Sequence, residues 1–90
     1  MVVGKLEPAA DISWRDIKDE LVVLNTHSGE YFVFNDTGRT IWFAIIEGKS
    51  EDDIAKQIVR EYDVKSEADV YEDIRTFVDK ALKNNLLICR

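Results

Sequence analysis

Residues 29–48 read GEYFVFNDTGRTIWFAIIEG, and the order of residue types along them decides how the rest of the chain must fold. Residues 30–34 are aromatic and β-branched after a single acid, the composition of a strand rather than a helix. Asn35, Asp36 and Thr37 follow, three side chains suited to accept hydrogen bonds from the free N–H groups that open a helix. Every residue from 41 to 46 is apolar, so no face of that helix is left for water, the pattern of a buried central helix. Gly48 closes it with a residue that takes the left-handed conformation without a Cβ penalty. A strand thus hands the chain directly to a core helix, and the flanking segments must supply its cover.

Working outward, Ile12 and Trp14 alternate with Ser13 and Arg15 as in a half-buried strand. Lys18-Asp19 forms a turn, and residues 20–24 (ELVVL) form a second strand. Residues 25–29 are rich in turn formers and join that strand to residues 30–34 as a hairpin. Residues 1–10 hold the only proline and no period, a loose lead-in or short edge segment. Downstream, Ser50 and three acids open a second helix whose apolar stripe is Ile54, Ala55, Ile58, Val59 and Tyr62. Residues 63–65 make a short link. Ser66 caps a longer third helix carrying Val70, Tyr71, Ile74, Phe77, Val78, Ala81 and Leu82. Asn84-Asn85 stops it, and the apolar run 86–89 packs back on the core as a short strand. The expected order is β-β-β-α-α-α in one α+β domain spanning 1–90: a three-stranded antiparallel sheet followed by three helices.

At 90 residues the chain makes one small core, burying about 60% of its unfolded surface on folding. A hydrophobic content of 46% suffices for that and excludes a disordered chain. The net charge of −6 repels phosphate backbones and anionic headgroups, which argues against nucleic-acid and membrane partners. No stretch resembles a secretion signal or reaches membrane-spanning length, so a cytoplasmic protein is expected. One cysteine, Cys89, excludes an internal disulfide and a cysteine-cluster metal site.

Candidate chemistry is sparse. His27 stands alone among turn residues, with no second imidazole or thiolate to join it at a metal. Asp52, Asp53 and Asp69 sit in first turns, where acids complement the helix dipole. Residues 37–40 carry one glycine, too little for a phosphate-cradling loop. No nucleophile–base–orienter set can be assembled, so the expectation is no enzyme, no catalytic residue, no metal and no cofactor.

Four features in fixed order resemble a known family: FN-x-TG-x-x-IW from Phe34 with Gly48 six residues after Trp42, EYDV at 61–64, EADV at 67–70, and NNLLI at 84–88. Together they resemble the PqqD family, peptide chaperones also called RiPP recognition elements, over residues 21–88. The resemblance implies a winged-helix-like fold and a non-catalytic adaptor that binds the leader of a ribosomally made precursor peptide. It implies a modifying enzyme as second partner, a radical S-adenosylmethionine (radical SAM) protein, as in pyrroloquinoline quinone (PQQ) biosynthesis. Gly38 stands where members of that pathway commonly have alanine, and Glu47-Gly48 where they have aspartate-glycine. A proline-containing segment of their second strand has no counterpart here, so the pathway itself stays open.

In this family the leader adds as a strand beside the third strand and against the third helix. Carried over, this marks Glu30, Tyr31, Phe32, Val33 and Phe34 as the peptide-binding edge. On the third helix, Tyr71, Val78 and Leu82 widen the apolar stripe to one side and Arg75 lies just beyond, a candidate groove wall. The competing account is that residues 86–88 cover this flank internally. Two rival functions remain: a winged-helix DNA-binding transcription regulator and a purely structural subunit. An apolar edge also permits self-pairing, so a monomer or weak dimer is expected.

Overall fold

The computed structural model describes residues 6–62 and 66–89. In chain order its elements are β1 (Leu6–Pro8), β2 (Ile12–Ile17), β3 (Glu20–Asn25), β4 (Tyr31–Phe34), α1 (Asp36–Ile46), α2 (Glu51–Glu61), α3 (Glu67–Lys83) and β5 (Leu87–Cys89). The α+β order expected from the sequence is present, with β4 as the strand that leads into α1. One addition is a two-stranded sheet of β1 and β5, which pairs Leu6 with Cys89 and Pro8 with Leu87. Part of the stretch expected as lead-in or edge segment therefore closes the domain, while residues 1–5 and the link at 63–65 lie outside the described residues.

The main sheet is antiparallel in the order β2-β3-β4. Its register puts Trp14 beside Val23 and Val23 beside Phe32, with Leu21 beside Phe34. These side chains share the face turned to the helices. Trp42 of α1 is wholly buried among them, and Trp14 meets it edge-on at 5.4 Å between ring centroids. Ile41, Ala44 and Ile45 are also buried, whereas Ile46 in the last turn of α1 is partly exposed. From α2 the core receives Ile54, Ala55 and Ile58, and from α3 it receives Val70, Ile74, Phe77, Val78 and Ala81. Val59, expected in the α2 stripe, is 38% exposed because it falls at the margin of that stripe's arc.

Caps and stops follow the side chains that announce them. Asn35 accepts from the Gly38 N–H at 2.9 Å, Ser50 from Asp53 and Ser66 from Ala68. α1 ends in a Schellman motif: the Gly48 N–H reaches the Ile45 carbonyl, the Lys49 N–H reaches that of Ala44, and Gly48 has φ of 82°. α3 ends the same way with Asn85 at φ 59°, bonded to Leu82, and Leu86 bonded to Ala81. That reversal buries Leu86 and aims β5 back at β1. An unforeseen contact fastens β2 to α1: Arg39 donates through Nε and a terminal nitrogen to both Asp16 carboxylate oxygens at 2.6 Å.

Two outcomes are expected. Gly48→Ala places a Cβ in the left-handed region with no steric contact around it, so urea denaturation will show a loss of about 1–2 kcal/mol from backbone conformation alone. The Arg39 guanidinium, chiefly by hydrogen bonding, holds the Asp16 carboxyl below its ordinary value. The stability it confers is therefore complete above the usual aspartate pKa of about 3.9 and is lost as pH falls below it toward the lowered value. The stability gap between wild type and Asp16→Asn should narrow over that acid range; a gap constant with pH would remove the ion pair as its cause.

Candidate functional site

β4 has β3 on one side and, among the described residues, no strand on the other. The Asn25 N–H bonds the Glu30 carbonyl at 2.9 Å, which sets the phase of the antiparallel ladder. Alternation then turns the N–H and C=O groups of Phe32 and Phe34 to β3, and those of Tyr31 and Val33 to the open margin. Side chains alternate the other way. Phe34 is buried and Phe32 half-buried toward the helices, while Tyr31 at 68% and Val33 at 50% exposure stand on the solvent face. The same two residues thus offer their backbone at the edge and their side chains to water. Glu30 is exposed at the start of the edge.

At the far end of β4 lies a cleft of about 270 Å³, lined by Phe34, Ile41 and Gly38 on one side and by Asp73, Thr76, Phe77 and Lys80 of α3 on the other. Phe34 and Phe77 meet edge-on at 4.9 Å. The Lys80 ammonium lies over the Phe34 ring, 5.5 Å from its centroid. Gly38 permits this arrangement through space rather than through backbone freedom. A Cβ there would come within 2.9 Å of the Phe34 Cβ and 3.4 Å of the Phe77 ring.

The α3 residues expected as groove wall are placed elsewhere. The Tyr71 hydroxyl donates to Asp52 at 2.6 Å, a bond that pushes the tyrosine up to about 12. Arg75 pairs with Glu51 at 3.2 Å and lies over the Tyr71 ring. Val78 is 1% exposed and Leu82 half-buried against the core. These side chains form the flank of α3 that faces α2, and the structure does not bring Tyr71 or Arg75 together with β4. The flank lining the cleft lies on the other side of the Phe77 stripe. Asp73, Thr76 and Lys80 follow that side at successive helical turns. Lys80 is readable from sequence as a dipole partner, and Phe77 as core. The signal for the other flank was the acidic opening of α2, to which a hydroxyl and a guanidinium on α3 are the natural complement.

Residues 20–87 match the family described as Coenzyme PQQ synthesis protein D (PqqD). The chain belongs to the PqqD family. Two solved structures resemble this PqqD-family fold over nearly all of both chains. TbiB1, in complex with the TbiA(beta) leader peptide, has 31% identity and a TM-score of 0.81, covering 90% of this chain and 93% of its own. Lasso peptide synthetase B1, complexed with the leader peptide, has 27% identity and a TM-score of 0.87, with coverage of 94% and 99%. No curated protein sequence matches. Among the described residues, no helix is long and apolar enough to cross a membrane, and no three metal-ligating side chains gather.

Gly38→Ala tests the closeness of β4, α1 and α3. Overpacking against Phe34, about 1–3 kcal/mol, should outweigh a helix-propensity gain of at most about 1 kcal/mol. A net loss of about 1–2 kcal/mol in urea denaturation is expected, and a gain would show that Phe34 can withdraw.

Proposed function

We propose that this PqqD-family chain is a non-catalytic recognition protein that captures the leader segment of a ribosomally made precursor peptide as an added strand on β4 and presents it to a modifying enzyme. The observation that carries this reading is the open margin of β4 ending in the cleft lined by Phe34 and Phe77. Support comes from the two structural relatives, both solved with leader peptides bound. The residues we assign to the peptide are Glu30, Tyr31, Phe32, Val33 and Phe34 along the edge, with Asp73, Thr76, Phe77 and Lys80 as the facing wall. Tyr71, Arg75, Val78 and Leu82 act behind that wall, bracing α3 on α2 and the core.

Magnitudes show why both parts are needed. Tyr31 and Val33 offer two N–H and two C=O groups, and four bonds at about 0.5–1.5 kcal/mol net give about 2–6 kcal/mol. Ordering a flexible leader takes back about 2–5 kcal/mol. Strand addition alone binds weakly, and one apolar side chain seated in the cleft adds about 1.5–3 kcal/mol. Affinity therefore depends on a leader residue that fills the cleft, and β4 supplies alignment.

The enzyme that receives the peptide is, from the family's PQQ-type members, a radical SAM protein. The likeness to lasso peptide synthetase B1 equally supports the remaining components of such a synthetase. Co-purification with each class separates the two. The protein acts as a monomer or weak dimer, because pairing with a second copy through β4 would consume the margin the peptide needs. The DNA-binding alternative gains no support: α3 exposes Glu72, Asp73 and Asp79, which would meet phosphates.

The test uses the labelled leader of the short precursor encoded nearest this gene. Val33→Pro removes an N–H at the open margin and leaves the β3 ladder intact, so leader affinity should fall at least about tenfold while circular dichroism stays unchanged. Val33→Thr keeps that N–H and should bind as wild type. Equal affinity in folded Val33→Pro and wild type would refute strand addition at β4.

A further inference from the structure

The flank of α3 that lines the cleft is electrically graded. Asp73 stands at one end, Thr76 in the middle and Lys80 at the other, all lining one cleft with Phe77 among them. Asp69 and Lys83, both exposed, extend the same flank at either end on the helical wheel. The helix dipole accounts for Asp69 in the first turn and Lys83 in the last. It does not account for Asp73, which lies a turn further in, where the effect has fallen off. Lys80 shares the last turn with Lys83, and its ammonium lies over the Phe34 ring at the cleft. Among the described residues neither Asp73 nor Lys80 has a counter-ion, although Arg75 and Arg39 elsewhere each find one. Two opposite, unneutralised charges at the two ends of an apolar cleft are complementary to an occupant charged in the opposite order.

We infer that Lys80 and Asp73 set the specificity and direction of the bound peptide: Lys80 takes a carboxylate, the floor of Phe34, Ile41 and Phe77 takes an apolar side chain, and Asp73 takes a basic one. This rests on the strand-addition reading and goes beyond it by naming the sequence class. Asp73 and Lys80 are seven residues apart, about 10.5 Å along the helix axis. In an extended peptide, side chains on one face recur every second residue at about 6.7 Å. Acid-x-apolar-x-base places its outer residues about 13.4 Å apart, about 3 Å more than that rise, a difference within the reach of the flexible side chains at both ends, and the order is read in one chain direction only. A peptide carrying the reverse order would put like charges together at both ends.

The probe is a phage library of random dodecapeptides selected on the immobilised full chain. Wild type should enrich Asp or Glu two residues to one side of an apolar residue, and Lys or Arg two residues to the other. The expected enrichment is about two- to fivefold over the Val33→Pro background, the range of a partly exposed ion pair. Lys80→Glu should convert the acidic position to a basic one, and Lys80→Gln should lose the preference without gaining another. Because Lys80 is exposed, both variants should fold, which circular dichroism checks. Identical profiles from wild type and Lys80→Glu, with selection lost in Val33→Pro, would overturn the charge reading alone. Identical profiles from wild type and Val33→Pro would overturn the strand-addition reading and this inference with it.

Discussion

Phe34 is the residue on which the rest of the structure depends. It is the last residue of β4, one position before the cap of α1, and its ring touches Phe77 of α3 while its Cβ faces Gly38. Strand, central helix and outer helix thus converge on one phenyl group. Any side chain at position 38 larger than hydrogen would push them apart, so the cleft beside Phe34 exists because a strand enters a helix with a single residue between them. Packing interiors tolerate little displacement, and a shift at this point would be felt at both the sheet edge and α3.

An unpaired aromatic strand is a hazard, because its free N–H and C=O groups can pair with any other strand. Here the exposed margin is kept to four residues, has a charge at its start in Glu30, and faces α3 rather than open solvent at its end. The helix itself is held from behind. Tyr71 and Arg75 bind Asp52 and Glu51 at the opening of α2, so acids that belong there for dipole reasons also fix the back of α3. The wall a peptide would meet is therefore braced from behind by contacts made within the protein itself.

Much of this was legible in the residues themselves. The capping side chains, the apolar run 41–46, the turn at Gly48 and the Asn84-Asn85 stop are local signals whose physics acts within one or two turns of chain. They correctly place three helices and the hairpin, and the charge balance and lone cysteine narrow the chemistry without any coordinates. The period of α3 likewise identifies its core stripe, Val70, Ile74, Phe77 and Ala81, all buried in the fold.

What periodicity lacks is a sense of left and right. A stripe tells which arc of a helix is buried, and both margins of that arc look alike until its neighbours are known. Whether Tyr71 and Arg75 or Thr76 and Lys80 face β4 depends on the side on which α2 packs, a choice made by contacts between segments far apart in the chain. The pairing of β1 with β5 is of the same kind, since three-residue strands carry no period of their own and gain a partner only when the Asn85 turn brings the chain ends together. Sequence alone therefore determined the elements, their caps and the core stripe, because those depend on neighbours along the chain. Tertiary structure alone decided which flank of α3 lines the cleft and which backbone groups of β4 lie at the open margin, because those depend on neighbours in space.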